Sequence, residues 1–349
     1  MKIIKILNIS SNSSEVYSAV SSAAYLSKRD HNVYIAGEKK SYARENAAKN
    51  KLNFIDLNIY SQLGFFKFPD CDIIEIYGYD KLNSFFLNKV FSLKTPKILR
   101  LTSFPSQDFI EFIKKKIDSI SLITASVQSI KDELVFSEIN PEKITVLNPI
   151  LVMTRWESAK QIKPATFLQR PYRIATVYRK KDFETIKFFL TVAREVLKSN
   201  QNINFLIVGP KDDKIRDLAR EWQISHKVDI LGWREDMPEV MAMTHIYVKC
   251  DFSPNIPRSL IEAMGSSVVC LVSHVKGISD LVISDYNGVI ANTRDVGSYV
   301  KNILSLINEP FKMQTISNTA YNYAKANFDA EISVKVDELI YENILMEYK

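Results

Sequence analysis

The sequence predicts an α/β protein made of two doubly wound, parallel-sheet domains in tandem. Three observations predict it. Short β-branched runs alternate with longer segments of helical periodicity; that alternation lapses between Trp156 and Pro171 and then resumes; and 349 residues at 46% hydrophobic content are enough to fill two cores.

In the first half, strands are expected at Ile3–Ile9, Asn32–Ala36, Cys71–Tyr77, Lys97–Thr102, Ser121–Ala125 and Ile144–Leu147. Between the first two, Glu15–Lys28 carries Val16, Ala19, Val20, Ala23 and Leu26 at helical spacing, a stripe that belongs in the core. Pro164 and Pro171 bracket an interdomain connection. Beyond it, strands are expected at Ile174–Tyr178, Asn204–Val208, Val228–Leu231, Ile246–Lys249 and Val268–Val272, with helices over Glu184–Ser199 and Lys214–Trp222. Each sheet's carboxyl edge is then available to line a cleft between the domains. The tail from Pro310 to Lys349 reads as helical throughout and is expected to pack back across the first domain.

Composition narrows the function classes. A charged fraction of 25%, with both signs interleaved, excludes a disordered chain. The net charge of +6 suits an anionic ligand such as a nucleotide diphosphate, or a negatively charged membrane surface. No basic stripe with interleaved aromatics marks a nucleic-acid partner. Cys71, Cys250 and Cys270 lie far apart without metal-ligand spacing, so a reducing compartment, the cytosol, is expected. Met1–Leu7 is too short an apolar run for a signal peptide, and no segment is long and apolar enough to span a bilayer. Membrane association would then be peripheral, at the inner face.

The densest run of chemistry-bearing residues is Asp251–Gly265, which follows a predicted strand and opens a helix. Pro257 suits the first helical position, where its missing N–H costs nothing. The N–H groups of Arg258 and Ser259 would point out of the helix start, where the macrodipole favours a diphosphate. Glu262 shares the face of Ser259 and could accept hydrogen bonds from the vicinal hydroxyls of a ribose. Spacing alone equally allows a capped helix with a solvent-facing glutamate.

Over nearly its whole length the chain resembles the retaining family-4 glycosyltransferases of the GT-B fold, within the glycosyl transferases group 1. Pro257-Arg-Ser-Leu-Ile-Glu262-Ala-Met resembles that family's donor-site helix, and Ser273-His-Val-Lys-Gly277-Ile-Ser-Asp280 the glycine loop after it. Asp285-Tyr-Asn-Gly288 resembles the following turn, Leu206-Ile-Val-Gly209 and Asp229-Ile-Leu-Gly232 two strand ends of the nucleotide-binding domain, and Ile123-Thr-Ala-Ser126 with Val146-Leu-Asn148 the end of the first domain. The resemblance implies two Rossmann-like domains facing across a cleft: an acceptor-side domain over 1–165, a nucleotide-sugar-binding domain over 166–325, and a C-terminal helix over 326–349 returning to the first domain.

It also implies roles. Arg179 matches the family's catalytic arginine, and Lys181 is the candidate for its lysine, with Lys180 as the alternative because the loop is shortened. A guanidinium and an ammonium fixed in a water-poor cleft would stabilise the charge that develops on a departing nucleotide diphosphate. Donor binding falls to Glu262, Arg258, Ser259, Gly209 and Gly232. Three departures stand out. The family's earlier glutamate falls on Pro254, leaving Ser253 and Asn255 as the nearest polar substitutes at the donor sugar. Its paired glycines after the first strand are replaced by Ser10–Ser14, where Ser13 and Ser14 can offer N–H and hydroxyl donors or simply cap the helix. Its first-domain histidine is absent, with Arg100–Ser106 in that region, while His274 falls in the glycine loop beside the expected phosphates.

The function implied is transfer of a hexose from a UDP- or GDP-linked sugar to a hydroxyl of a glycan or lipid-linked glycan, with retention and without a metal or other cofactor, as in polysaccharide biosynthesis. The alternative is a catalytically impaired GT-B subunit that supports a partner glycosyltransferase; Pro254 and the absent histidine favour it, whereas Arg179, Lys181 and Glu262 oppose it. A nicotinamide-dependent oxidoreductase is disfavoured by the lack of any Gly-x-Gly-x-x-Gly after a strand. An epimerase of the same fold would release free products without an acceptor.

Overall fold

The computed structural model describes residues 1–7, 13–57, 69–78, 84–166, 169–179 and 182–348. The chain divides into two compact units, Met1–Val152 together with Asn327–Lys349, and Met153–Ala326.

The first unit holds strands β1 (Lys2–Leu7), β2 (Asn32–Gly37), β3 (Asn53–Asp56), β4 (Ile73–Tyr77), β5 (Lys97–Leu101), β6 (Leu122–Ala125) and β7 (Ile144–Val146). They form one sheet in the order β3-β2-β1-β4-β5-β6-β7, every pairing parallel. Its described helices are α1 (Ser14–Ser27), α2 (Tyr42–Lys49), α3 (Ser84–Phe91), α4 (Gln107–Lys116) and α5 (Gln128–Phe136). Central parallel strands are covered on both faces, which is why they read as apolar runs rather than alternating ones. The α1 stripe is core as its spacing predicts: Val16, Ala19, Val20, Ala23 and Leu26 are all buried, against Ile3, Leu7, Val33 and Ile35.

The second unit opens with α6 (Glu157–Thr166) and holds β8 (Tyr172–Val177), α7 (Phe183–Ser199), β9 (Ile203–Val208), α8 (Asp213–Glu221), β10 (Val228–Gly232), α9 (Met237–Met243), β11 (Ile246–Lys249), α10 (Arg258–Gly265), β12 (Val269–Ser273), β13 (Val289–Ala291), α11 (Val296–Asn308) and most of α12 (Pro310–Phe328). Its sheet runs β10-β9-β8-β11-β12-β13, again wholly parallel. Tyr172, Ile174, Phe189, Val192, Phe205, Ile207, Ile246 and Val248 form the centre of its core. The α/β class with two parallel sheets is therefore as the sequence predicts.

Four local features depart from the sequence reading. The edge strands β3 and β13 are additional; each is short and pairs on one side only, so neither needs a long apolar run. The stretch read as a connection is helical over Glu157–Thr166, with Pro164 near its end, and packs against α9. The tail is two helices: the backbone breaks at Asp329, whose carboxylate accepts the Glu331 N–H at 3.2 Å as the N-cap of α13 (Ala330–Glu347). At that break Leu151 bonds on both sides, to the Phe328 carbonyl at 2.6 Å and from the Ala330 N–H at 2.9 Å. Finally, Pro257 sits at the N-cap of α10, one place before the helix.

Helix α13 belongs to the first unit. It packs beside α1 and sends Val334, Tyr341 and Ile344 into that core. It also completes a buried charge network. Lys5 on β1 lies opposite Glu75 on β4 in the register of the sheet and forms an ion pair with it. Arg100 on β5 reaches Glu75 with Nε at 2.8 Å and Asp337 of α13 with Nη2 at 2.7 Å. Tyr77 and Tyr341 donate to Glu75 at 3.0 and 2.7 Å, and Ser22 of α1 donates to Asp337 at 3.1 Å. All seven side chains are buried. Two cations thus face two anions, and the hydroxyls fill the remaining hydrogen-bonding capacity, the condition under which a buried charge cluster is tolerable.

Candidate functional site

In the second unit, β8 and β11 are adjacent, and the chain runs outward from them in opposite directions, through β9 and β10 on one side and through β12 and β13 on the other. That is a topological switch point, and in open α/β sheets ligands bind outside the carboxyl ends of the strands there. The residues at those ends are Tyr178 and Arg179 after β8, Lys249 closing β11 with Cys250 and Asp251 after it, and Ser273 closing β12 with His274 after it. Lys249 bridges the two central strand ends: its ammonium lies 2.8 Å from Asp251 Oδ1 and donates to the Val177 carbonyl at 3.4 Å.

The chain from Asp251 to α10 is braced from below. The Asn255 amide donates to Asp251 Oδ2 at 2.7 Å, and the Asn255 N–H donates to the Lys276 carbonyl at 3.1 Å, tying this loop to the glycine loop. That second loop turns at Gly277, with φ of 85°, and closes through the Gly277 N–H donating to Asp280 at 2.8 Å. Ser253, Pro254 and Asn255 are themselves exposed. No side chain caps the start of α10, so its N-terminal N–H groups suit an anion.

On α10, Glu262 is buried and its Oε1 lies 3.0 Å from Arg258 Nε, one helical turn back. Ser259 shares a 2.6 Å hydrogen bond with the hydroxyl of Tyr247, which stands fully buried on β11. Burial holds the Tyr247 phenol well above its ordinary range, so it remains a neutral partner for Ser259.

Gly209 and Gly232 meet at the ends of β9 and β10, where the Gly209 N–H donates to the Gly232 carbonyl at 3.2 Å. A Cβ on Gly209 would stand 2.4 Å from the Tyr178 ring and 2.6 Å from the Tyr178 carbonyl oxygen. This glycine therefore also answers a packing demand. The Tyr178 hydroxyl donates to the Pro210 carbonyl, and burial, with the Asp212 charge behind it, pushes the phenol up to about 12. Gly209→Ala is expected to cost about 1–3 kcal/mol through backbone strain and overpacking, read from thermal unfolding; an unchanged midpoint would mean that the Tyr178 ring swings aside freely.

Arg179 is exposed, and its backbone forms a turn with Asp182: the Arg179 N–H donates to Asp182 Oδ2 at 3.2 Å and the Asp182 N–H to the Arg179 carbonyl at 2.9 Å. Among the described residues no hydrogen bond or ion pair joins the Arg179 side chain to α10. Lys181 and its alternative Lys180 lie outside the described residues. In the first unit, Ser13 is the N-cap of α1, accepting the Val16 N–H at 3.3 Å, and Ser14 is the first helical residue; Ser10 to Asn12 lie outside the described residues. His274 is exposed at the end of β12. Among the described residues no group of three or more His, Cys, Asp or Glu side chains is placed to hold a metal ion, and no helix is long and apolar enough to cross a membrane.

Sequence reasoning opened its candidate run at Asp251 but assigned no role to Lys249, Asp251 or Tyr247. A lysine closing a wholly buried strand, with an aspartate two residues on, was the available signal: such a charge is costly unless paired, and a pair at a strand's carboxyl end lies where ligands bind.

Residues 158–323 match the family described as glycosyl transferases group 1. Among curated proteins, the chain is 23% identical over 158 residues to the UDP-Gal:alpha-D-GlcNAc-diphosphoundecaprenol alpha-1,3-galactosyltransferase of Escherichia coli, covering 44% of this chain and 40% of that one. It is 25% identical over 144 residues to the N,N'-diacetylbacillosaminyl-diphospho-undecaprenol alpha-1,3-N-acetylgalactosaminyltransferase of Campylobacter jejuni, covering 40% and 38%. The match thus spans about two fifths of the length of these relatives. Among solved structures, a Rickettsia africae glycosyltransferase superposes with a TM-score of 0.83 at 14% identity over 99% of this chain and 98% of that one. Anabaena HepE, in complex with UDP and glucose, superposes with a TM-score of 0.80 at 13% identity over 97% and 99%. The fold is GT-B, and the family match with these relatives supports the group 1 glycosyltransferases.

Proposed function

We propose that this chain transfers a hexose from a nucleotide diphosphate sugar to a hydroxyl of a glycan or lipid-linked glycan, with retention at the anomeric carbon. The observation that carries the reading is the uncapped start of α10 beside the β8/β11 switch point, with the Arg258–Glu262 pair on the same helix. The N–H groups there receive the diphosphate, and Glu262 accepts from the ribose hydroxyls. As the bond between the anomeric carbon and the diphosphate oxygen breaks, negative charge grows on the leaving group. Arg179 and Lys181 offset that charge, so that no metal is required. The new bond forms from the acceptor oxygen on the same face, and the hydroxyl proton passes to the departing phosphate.

The Escherichia coli and Campylobacter jejuni relatives carry diphospho-undecaprenol acceptors in their names, which supports a lipid-linked acceptor and a peripheral station at the inner face of the membrane. Anabaena HepE was solved with UDP and with UDP-glucose, which supports a uridine donor ahead of a guanosine one.

Thermal shift with uridine, guanosine and adenosine diphosphates, followed by transfer assays over their sugars with the product anomer read by NMR, tests the proposal. Stabilisation by one diphosphate and turnover of its sugar with retention are expected; turnover with inversion would overturn the retaining assignment. The impaired-subunit reading draws on exposed Pro254 and on the tethering of the Asn255 amide to Asp251, and it requires diphosphate binding with no turnover on any donor. Glu262→Ala separates a ligand role from the pairing with Arg258. Loss of a charged hydrogen bond to the ribose is expected to weaken diphosphate binding by roughly 10- to 100-fold. A fall in thermal stability with unchanged affinity would assign Glu262 to the helix alone.

A further inference from the structure

Helix α13 is apolar on two opposite sides. One side enters the first unit's core through Val334, Tyr341 and Ile344. On the other, Ile332, Val336, Leu339 and Met346 are 44%, 37%, 61% and 68% exposed. With Asn343, also exposed, these residues recur at steps of four, three, four and three along the helix, which at about 100° per residue keeps them within one narrow stripe. A surface helix needs only one apolar stripe, so a second with this spacing calls for a second helix.

We infer that this stripe is a self-association seam, on which two copies of the chain pair α13 antiparallel about a two-fold axis. Charge complementarity selects the occupant. Along one flank stand Lys335 and Glu342, both exposed and neither in an ion pair within its own chain among the described residues. In an antiparallel pair, like flanks face each other. A register that sets Val336 against the partner's Leu339 and Ile332 against the partner's Asn343 also brings Lys335 beside the partner's Glu342. The two-fold axis repeats that ion pair, so the interface is isologous and closes on itself. A parallel pair would lose this matching. Glu338, on the same flank but nearer the core, is already held by Arg29 at 2.7 Å and His31 at 2.8 Å and takes no part. The remaining flanking charges, Glu331 and Glu347, are acidic, which turns the stripe away from an anionic bilayer.

Sedimentation velocity of the full chain over a concentration series tests the seam. A concentration-dependent dimer is expected. Leu339→Glu should raise its dissociation constant by at least about tenfold while leaving thermal unfolding close to wild type, because Leu339 is exposed. Lys335→Glu and Glu342→Lys alone should each weaken the dimer by roughly fivefold, and the double charge exchange should restore it to within about twofold of wild type. A monomer up to about 200 μM, against the micromolar to nanomolar range of specific association, overturns the proposal. So does a dimer indifferent to Leu339→Glu, or a double exchange that fails to rescue. Leu339-dependent binding of a monomer to phosphatidylglycerol vesicles would assign the stripe to lipid instead.

Discussion

Replacing Arg100 by leucine is expected to lower the stability of the first unit by about 3–5 kcal/mol, the range for removing one member of a buried ion pair. The guanidinium stands between Glu75 and Asp337, and its loss leaves two buried carboxylates with only Lys5 to balance them. Urea unfolding followed by circular dichroism measures the effect. The exposed Arg29 bridge to Glu338 is the internal comparison: Arg29→Ala removes a surface pair and should shift the midpoint far less. An Arg100→Leu shift no larger than that of Arg29→Ala would mean that water enters the network and the charges are not truly buried.

The same network fixes an acid limit. Burial pushes the Glu75 carboxyl up, but Arg100, Lys5 and the hydrogen bonds from Lys5 and Tyr341 together outweigh it and hold the group at about 2, against an ordinary 4.5. A carboxylate depressed on folding stabilises the native state fully above its unfolded value, and that contribution is lost as pH falls through the folded one. The first unit is therefore expected to lose stability between about pH 4.5 and 2. In Glu75→Gln, whose amide does not titrate, this segment of the pH dependence should flatten.

Arg179→Ala is expected to lower kcat/KM for the donor by roughly 10²–10³-fold, the effect of removing one preorganised charge stabiliser from a transition state. The loss should fall on kcat more than on KM, because the charge that Arg179 meets develops as the diphosphate leaves. Arg179→Lys should recover only part of the rate, since an ammonium cannot present two parallel N–H donors to a phosphate. Wild-type kcat/KM in Arg179→Ala would remove this residue from the site.

The doubly wound pattern was legible in the sequence because central parallel strands are buried on both faces. Val268–Val272, on the strand between β11 and β13, announces itself as an unbroken apolar run, and α1 by its stripe. The edge strands β3 and β13 are three or four residues that lean on one neighbour, and nothing local distinguishes them from loops. At the site, the helix bearing Arg258, Ser259 and Glu262 could be placed from its own spacing and its resemblance to a donor-site helix. The Lys249–Asp251 pair was visible as two nearby charges, but its meaning depends on β8 lying beside β11, a long-range pairing. The Lys5–Glu75–Arg100–Asp337 network was the least legible, because Arg100 and Asp337 are 237 residues apart in sequence and each, read locally, is one charge among many.

The return of α13 to the first unit has a consequence for how the protein is made. Asp337 and Tyr341 emerge from the ribosome only after the whole second unit, Met153–Ala326, has been synthesised. Until then the nascent first unit holds Lys5 and Arg100 against Glu75 alone, an uncompensated positive charge in a half-built core. The second unit, by contrast, has all its strands in one continuous segment. Completion of the first unit's charge network therefore waits for residues translated after the second unit.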